Sequence, residues 1–403
     1  RKTVLQRLGL VSLPAEIILR KSLLPEKKNL WIHALSVGEA LSAVSLVKRL
    51  RIDFDQRNIV FSVTTKTGFD IANKYLKDVV DALFYFPYDL AFSVKHVAKK
   101  IDPALVVIVE TDIWPNFLYE MEKRKIPVVL VNARLSGKSF IGYKRLGFIT
   151  RSLFLCFTNV CTQSIEDAVR FLKLGVPGDR ITVTGNVKFD EKVSSLSIEE
   201  IDRWKQSFHI RHSQKILVAG STHPGEESIL LDVISRMKNH GVDLVLVVAP
   251  RDPQRARSLY RMFHSAGFSV GLMKELQEIS EKKRLDVIII DRLGILKTLY
   301  AIADVAFVGG SLVDRGGHNP LEPAAFKKPI IFGQDMSDFE DISKMMLEAN
   351  GAVRVQNANE LYNAATLLIE KGTEASEVGK NAPRVFIANK GAVEKTLKVI
   401  IEY

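Results

Sequence analysis

Short apolar, β-branched runs alternate along this chain with longer stretches of helical period. In the first half the runs fall at 30–35, 59–64, 82–86, 105–110, 128–132, 159–162 and 181–184. Between them, 40–51, 69–75, 93–100 and 165–173 carry apolar residues at the spacing of an amphipathic helix. Strand–helix–strand alternation predicts a parallel sheet covered by helices on both faces. The texture then changes: 190–214 is charged, poor in apolar residues and without a strand run. A second series follows at 215–219, 242–249, 286–290, 305–309, 329–332 and 352–355. The pattern predicts two doubly wound, Rossmann-like α/β domains facing a central cleft, at 1–190 and 215–403, with 191–214 as linker. The terminal stretch 384–403 has a helical pattern and either stays with the second domain or crosses back to the first.

In open parallel sheets, ligands sit beyond the carboxyl ends of the strands. The residues that follow each run are therefore the ones to inspect. After the first run, His33-Ala34-Leu35-Ser36-Val37-Gly38-Glu39 leads into a helix. Glu39 either takes a proton from an attacking hydroxyl or is an acid favoured by the first turn of a helix. His33, in mid-strand, reads as a satisfied core histidine. Glu110, Thr111 and Asp112 end the fourth run, beside Trp114 and Pro115. Glu110 and Asp112 either orient an acceptor or cap the next helix, with Asp112 as N-cap. Arg134 and Ser136 follow the fifth run; the guanidinium suits a phosphate or carboxylate or a surface ion pair. Thr64 and Thr65 suit a sugar or phosphate, or a plain N-cap turn.

The second series opens with Gly220-Ser221-Thr222-His223-Pro224-Gly225-Glu226-Glu227, small residues at a strand end that fit a phosphate. The glycine spacing is neither that of a P-loop nor that of a dinucleotide fingerprint. Arg251, directly after a strand, either binds an anion or pairs with Asp252. Then come Gly309-Gly310-Ser311-Leu312 and Arg315-Gly316-Gly317-His318-Asn319-Pro320-Leu321-Glu322. Gly316 and Gly317 allow backbone N–H groups to converge on an anion. Asn319 can cap a helix whose first position suits Pro320, and Glu322 has acceptor sites enough for two vicinal hydroxyls. A turn, a capped helix and an acid together describe a nucleotide-sugar site.

Composition sharpens this only in places. The chain has 403 residues, 47% hydrophobic and 26% charged, which is globular and long enough for two domains. A formal charge of +11 favours a polyanionic partner. Lys and Arg are scattered rather than clustered with aromatics, which argues against nucleic acid. Cys156 and Cys161 read as reduced core thiols. No apolar run reaches the length of a spanning helix. The opening 1–25 mixes basic and large apolar residues and either lies on a membrane surface or packs as an ordinary helix pair.

Seven segments, in order and spread over both halves, resemble the 3-deoxy-manno-octulosonate (Kdo) transferases of lipopolysaccharide synthesis. They are HALSVGE at 33–39, VETDIWPN at 109–116, VNARLS at 131–136, GNVKFD at 185–190, GSTHPGEE at 220–227, PRDP at 250–253 and GGHNPLEPA at 316–324. The resemblance implies a GT-B glycosyltransferase architecture, an N-terminal acceptor domain and a C-terminal donor domain. It implies CMP-Kdo as donor, a phosphorylated lipid A precursor as acceptor, and no metal or other cofactor. It implies Glu39 as general base with Glu110 assisting. Around the CMP it places Ser221, Thr222, Arg251, Gly316, Gly317, His318, Asn319 and Glu322. Around the acceptor or sugar it places Thr64, Thr65, Asp112, Arg134, Ser136, Asn186 and Lys188. It also implies work at the anionic cytoplasmic face of the bacterial inner membrane, peripherally here, with the family's apolar N-terminal anchor removed. A nucleotide-sugar 2-epimerase shares the layout and is the rival enzyme class; the basic excess and amphipathic start argue against it.

Overall fold

A computed structural model describes residues 4, 7–8, 28–54, 56–190, 196–211, 213–276 and 284–403. The chain divides into two compact units, Arg1–Lys192 with Asn389–Tyr403, and Val193–Ala388.

In the first unit, the strands are β1 Asn29–Ala34, β2 Asn58–Val63, β3 Ala82–Tyr85, β4 Pro103–Val109, β5 Val128–Ala133, β6 Asn159–Thr162 and β7 Ile181–Val183. They pair in parallel in the order β3-β2-β1-β4-β5-β6-β7. The central strands are buried on both faces, which is why they read as unbroken apolar runs. On β1, Leu30, Ile32 and Ala34 enter one core and Trp31 the other; on β4, Leu105, Val107 and Val109 oppose Val106 and Ile108. Each core is roofed by helices such as Val37–Asp53 and Pro115–Lys123.

In the second unit, β8 Lys215–Thr222, β9 Leu244–Pro250, β10 Val270–Leu272, β11 Val287–Ile289, β12 Val305–Val308, β13 Ile330–Phe332 and β14 Val353–Arg354 pair in parallel. Their order is β10-β11-β9-β8-β12-β13-β14. In both sheets the order reverses beside the first strand, between β1 and β4 and between β8 and β12. That reversal opens a crevice at the carboxyl ends of the two strands.

The structure corrects three expectations. The second unit does not run to 403: the Ala392–Ile401 helix packs in the first unit, where Ala392, Leu397 and Ile400 are buried with Leu46 and Val47 of the Val37–Asp53 helix. The 191–214 segment is not only a linker. It contains the helix Ile198–Ser207, opened by a Ser197–Glu200 capping box, with Ile201 and Trp204 against the second unit's core. Strand β10 gave no sequence signal because it is three residues long with Gly271 at its centre. The opening 1–25 lies outside the described residues apart from Val4, Arg7 and Leu8. Among the described residues no helix is long and apolar enough to cross a membrane.

Candidate functional site

The crevice of the first unit is lined by acids. Ser36 caps the Val37–Asp53 helix and Glu39 lies in its first turn. The Glu39 carboxylate turns back to accept from the Leu35 N–H at 2.5 Å and from the Ser36 hydroxyl at 3.2 Å. Glu39 is thus both a helix-start acid and a strand-end acid. Burial, then the nearby charges of Asp112 and Glu110, push its carboxyl up to about 8. Burial and Glu110 push Asp112 up to about 7, against a hydrogen bond shared with Glu39. That shared bond requires a proton on one of the two.

Asp112 does not cap the next helix. The Pro115–Lys123 helix has Trp114 at its N-cap with no side-chain bond, and Asp89 accepts from its Asn116 and Phe117 N–H groups at 3.1 and 2.8 Å. Asp112 Oδ2 and Trp114 Nε1 are buried with no hydrogen-bond partner among the described residues, as are Thr64 Oγ1 and His33 Nε2. His33 is therefore only half satisfied: its Nδ1 meets Ser62, and burial drives it down to about 3, so it is neutral.

Glu110 is gripped from three sides, by Lys188 Nζ at 3.3 Å and by Ser42 Oγ and Asn132 Nδ2, each at 3.4 Å. Glu110 and Asn132 both sit at positive φ, 62° and 55°. A non-glycine in this region costs about 1–2 kcal/mol, and such strain gathers at functional sites. The other acceptor-side candidates have structural work. Asn186 bonds Gln163 and the Lys188 N–H. Thr111 holds the Arg134 backbone at both N–H and carbonyl. Thr65 and Ser136 are N-caps, accepting from Gly68 N and Ser139 N.

The crevice of the second unit treats its acids differently. Glu226, wholly buried, accepts four backbone N–H groups: His223 at 2.9 Å, Gly310 at 2.7 Å, Ser311 at 3.0 Å and Leu312 at 3.1 Å. Burial raises its proton affinity and the four donors oppose that. With every lone-pair direction accepting, the ionised form fits. Glu227, also buried, takes Arg255 in two-pronged fashion, at 2.7 and 3.1 Å, and the Thr222 hydroxyl at 2.9 Å.

These bonds overturn part of the phosphate reading. The 309–312 turn is filled by the protein's own carboxylate. Gly316 N–H is donated to the Asp335 carboxylate at 2.6 Å and Gly317 N–H to the Gly310 carbonyl at 2.9 Å, so both are already engaged within the protein. Pro320 precedes the helix, which spans only Leu321–Ala324; Asn319 does accept from Leu321 N–H at 3.1 Å. Ser221, at φ 56°, and Glu322 are partly exposed. Arg251 does not pair with Asp252, which caps Gln254 instead. Arg251 and Arg315 are exposed, and their guanidinium groups have no ion pair among the described residues. Beside them His223 and His318 meet Nε2 to Nε2 at 2.9 Å. Burial, then Arg251 and His223, drive His318 down to about 4. Sequence reading named neither His223 nor Arg315 as a site residue, although both stand within its motifs.

Two doubly wound parallel sheets, each with polar residues gathered where its strand order reverses, place the molecule in the GT-B class. The fold agrees with UDP-GlcNAc 2-epimerase from Neisseria meningitidis at a TM-score of 0.64 over 93% of this chain and 100% of that one, at 14% identity. A glycosyltransferase from Rickettsia africae aligns at 0.61 over 93% and 98%, at 15% identity. Sequence narrows the class. The family described as 3-deoxy-D-manno-octulosonic-acid transferase matches residues 2–191. The transferase of that name from Haemophilus influenzae is 32% identical over 94% of this chain and 88% of its own. The one from Rickettsia bellii is 31% identical over 93% and 88%. The chain belongs to the 3-deoxy-D-manno-octulosonic acid transferase family and is a glycosyltransferase.

Proposed function

We propose that this protein moves Kdo from CMP-Kdo to the 6′-hydroxyl of a lipid A precursor (lipid IVA), without a metal ion, with Glu39 as general base. The observation that carries the reading is the setting of Glu39. A base works best when its proton affinity lies near the working pH, and two neighbouring carboxylates and burial bring Glu39 to about 8. Ionised Glu39 takes the acceptor's proton as the hydroxyl attacks the anomeric carbon. Glu110, tethered to Lys188, keeps Asp112 and Glu39 under negative charge and so keeps that affinity high. On the donor side the unpaired Arg251 and Arg315 meet the phosphate and the sugar carboxylate. Two guanidinium groups suffice for a monophosphate leaving group, which is the argument for metal independence.

The acceptor lies in an anionic bilayer, and the first unit has a surface suited to it. The Gly137–Arg145 helix has no buried residue and the Phe148–Leu155 helix follows directly. Phe148 is 81% exposed, and Ile141, Leu146 and Ile149 are exposed around it, among Lys138, Lys144, Arg145 and Arg151. Apolar residues ringed by cations suit the cytoplasmic face of the inner membrane.

The test is transfer from CMP-Kdo to a tetraacyl lipid A precursor with EDTA present, wild type against Glu39→Ala. Transfer by wild type alone, with CMP binding kept in the variant, supports the reading. Near-full activity in the variant moves the base to Glu110 or Asp112. Inert wild type ends the reading.

A further inference from the structure

The pairing of His223 with His318 has a chemical consequence. Their Nε2 atoms are 2.9 Å apart and the rings lie 8° from coplanar with centroids 5.2 Å apart. One nitrogen donates and the other accepts, so a single proton lies between the rings. The pair can take one further proton at a free Nδ1 and keep the contact, now charge-assisted. A second would set two N–H groups against each other.

The surroundings fix when that proton is welcome. Arg251 faces both rings and Arg315 and Arg255 face His223, all opposing protonation; Glu227 favours it but is engaged by Arg255 and Thr222. Glu226 holds the His223 and Gly310 N–H groups on one oxygen, Oε2, and so pins the loop after β8 to the loop after β12. Gly310, at φ 70°, lies against the shared bond: a Cβ there would come within 3.1 Å of His318 and 3.4 Å of His223. The geometry holds the pair fixed under unpaired positive charge. An anion bound between Arg251 and Arg315 cancels that charge and removes the opposition.

We propose that His223 and His318 act as one proton-accepting unit for the departing nucleotide. The inference rests on the donor reading above. The donor carries one negative charge on its phosphodiester and one on its sugar carboxylate, and the two arginines balance them while the pair stays neutral. In transfer, the acceptor oxygen bonds to the anomeric carbon and its proton goes to Glu39. The anomeric C–O bond to phosphate breaks, and its electron pair stays on the phosphate, now a dianionic monoester. The pair then takes one proton from solvent, matching the second charge. It releases that proton when the nucleotide leaves.

The experiment is calorimetric titration of the full chain with CMP in buffers of different ionisation enthalpy at pH 7.5. There the phosphate, with a second pKa of about 6, is already dianionic. Cytidine 5′-(methyl phosphate) is the monoanionic control. Uptake approaching ~1 proton per CMP is expected, with none for the ester. CMP affinity then falls by up to about tenfold per pH unit above this pH while that of the ester stays level. The double variant His223→Gln/His318→Gln, with both arginines intact, binds CMP without uptake. CMP binding with no proton uptake in wild type, or with uptake kept in the double variant, overturns the inference and leaves the donor reading standing. Failure of both ligands to bind overturns the two together. Should the double variant not fold, the wild-type pH series decides alone.

Discussion

The two crevices each open where the strand order reverses beside the first strand of the sheet, yet they hold their acids in opposite ways. In the second unit, Glu226 accepts four N–H groups and Glu227 an arginine and a hydroxyl. Both are buried and fully engaged by donors; they tie loops together. In the first unit, Glu39 accepts, among the described residues, only Leu35 N–H and the Ser36 hydroxyl, and faces two more carboxylates. An acid with too few donors and too many like charges holds its proton to higher pH. The unspent charge is thus negative in one unit and positive in the other, at Arg251 and Arg315. One crevice is equipped to take a proton and the other to hold an anion. The number of hydrogen-bond donors, more than the residue type, separates a structural glutamate from a reactive one.

The sharpest way to break this comparison is to remove one carboxylate charge on each side. Glu39→Gln is expected to lower transfer about 10²–10⁴-fold and to leave the fold intact or firmer at pH 8, since it relieves like-charge repulsion. Glu226→Gln keeps one oxygen for two of the four N–H donors, sets its amide N–H₂ against the other two and should cost about 3 kcal/mol. Transfer assays and urea unfolding of both variants decide it. If Glu226→Gln is as stable as wild type, or Glu39→Gln unfolds the protein, the two acids have been assigned the wrong way round.

A titration sharpens the same contrast. Base catalysis needs ionised Glu39, so kcat/KM should rise with pH through the region near 8. Stability should run the other way. The folded Glu39 holds its proton to higher pH than the unfolded one, so stability falls as pH rises from the ordinary carboxylate range through about 8. Asp112→Asn removes one like charge and should move the ascending limb of the rate profile down by about one pH unit. A limb that stays in place would mean that Asp112 does not act on Glu39.

How much of this was legible in sequence follows from what each feature depends on. Strands buried on both faces announce themselves, and β4 or β9 could hardly be missed. Strand β10, at the sheet edge with a central glycine, could. That Glu39 and Glu110 belong to one crevice required the strand order, and order is set by pairing between segments distant in sequence. The 316–317 glycines looked like an anion cradle because positive φ is legible from composition. That Asp335 and the Gly310 carbonyl already take those N–H groups is not, since Asp335 lies on a different loop. The helix pair at 137–155 left a signal that a reading by strand ends passes over: exposed apolar residues interleaved with cations, with Thr150, Leu153 and Phe154 of the second helix buried.

The smallest expected effect tests how the acid-lined crevice is braced. Asp190, in the segment GNVKFD, accepts from Gly391 N–H at 2.7 Å and Val393 N–H at 2.6 Å, two otherwise orphaned donors at the start of the last helix. Asp190 thus does for this helix what an N-cap does, from 200 residues away in sequence. The helix in turn packs on the helix whose first turn carries Glu39. Asp190→Ala should cost about 1 kcal/mol of stability, and Asp190→Asn less, since an amide oxygen still accepts one N–H. Leu397→Ala, in the same helix, should cost about 2–5 kcal/mol. Hydrogen exchange at 391–403 would rise in Asp190→Ala before global unfolding. If exchange there is unchanged, packing alone holds the helix. Its capture of the chain end would then owe nothing to the acid that the family motif carries.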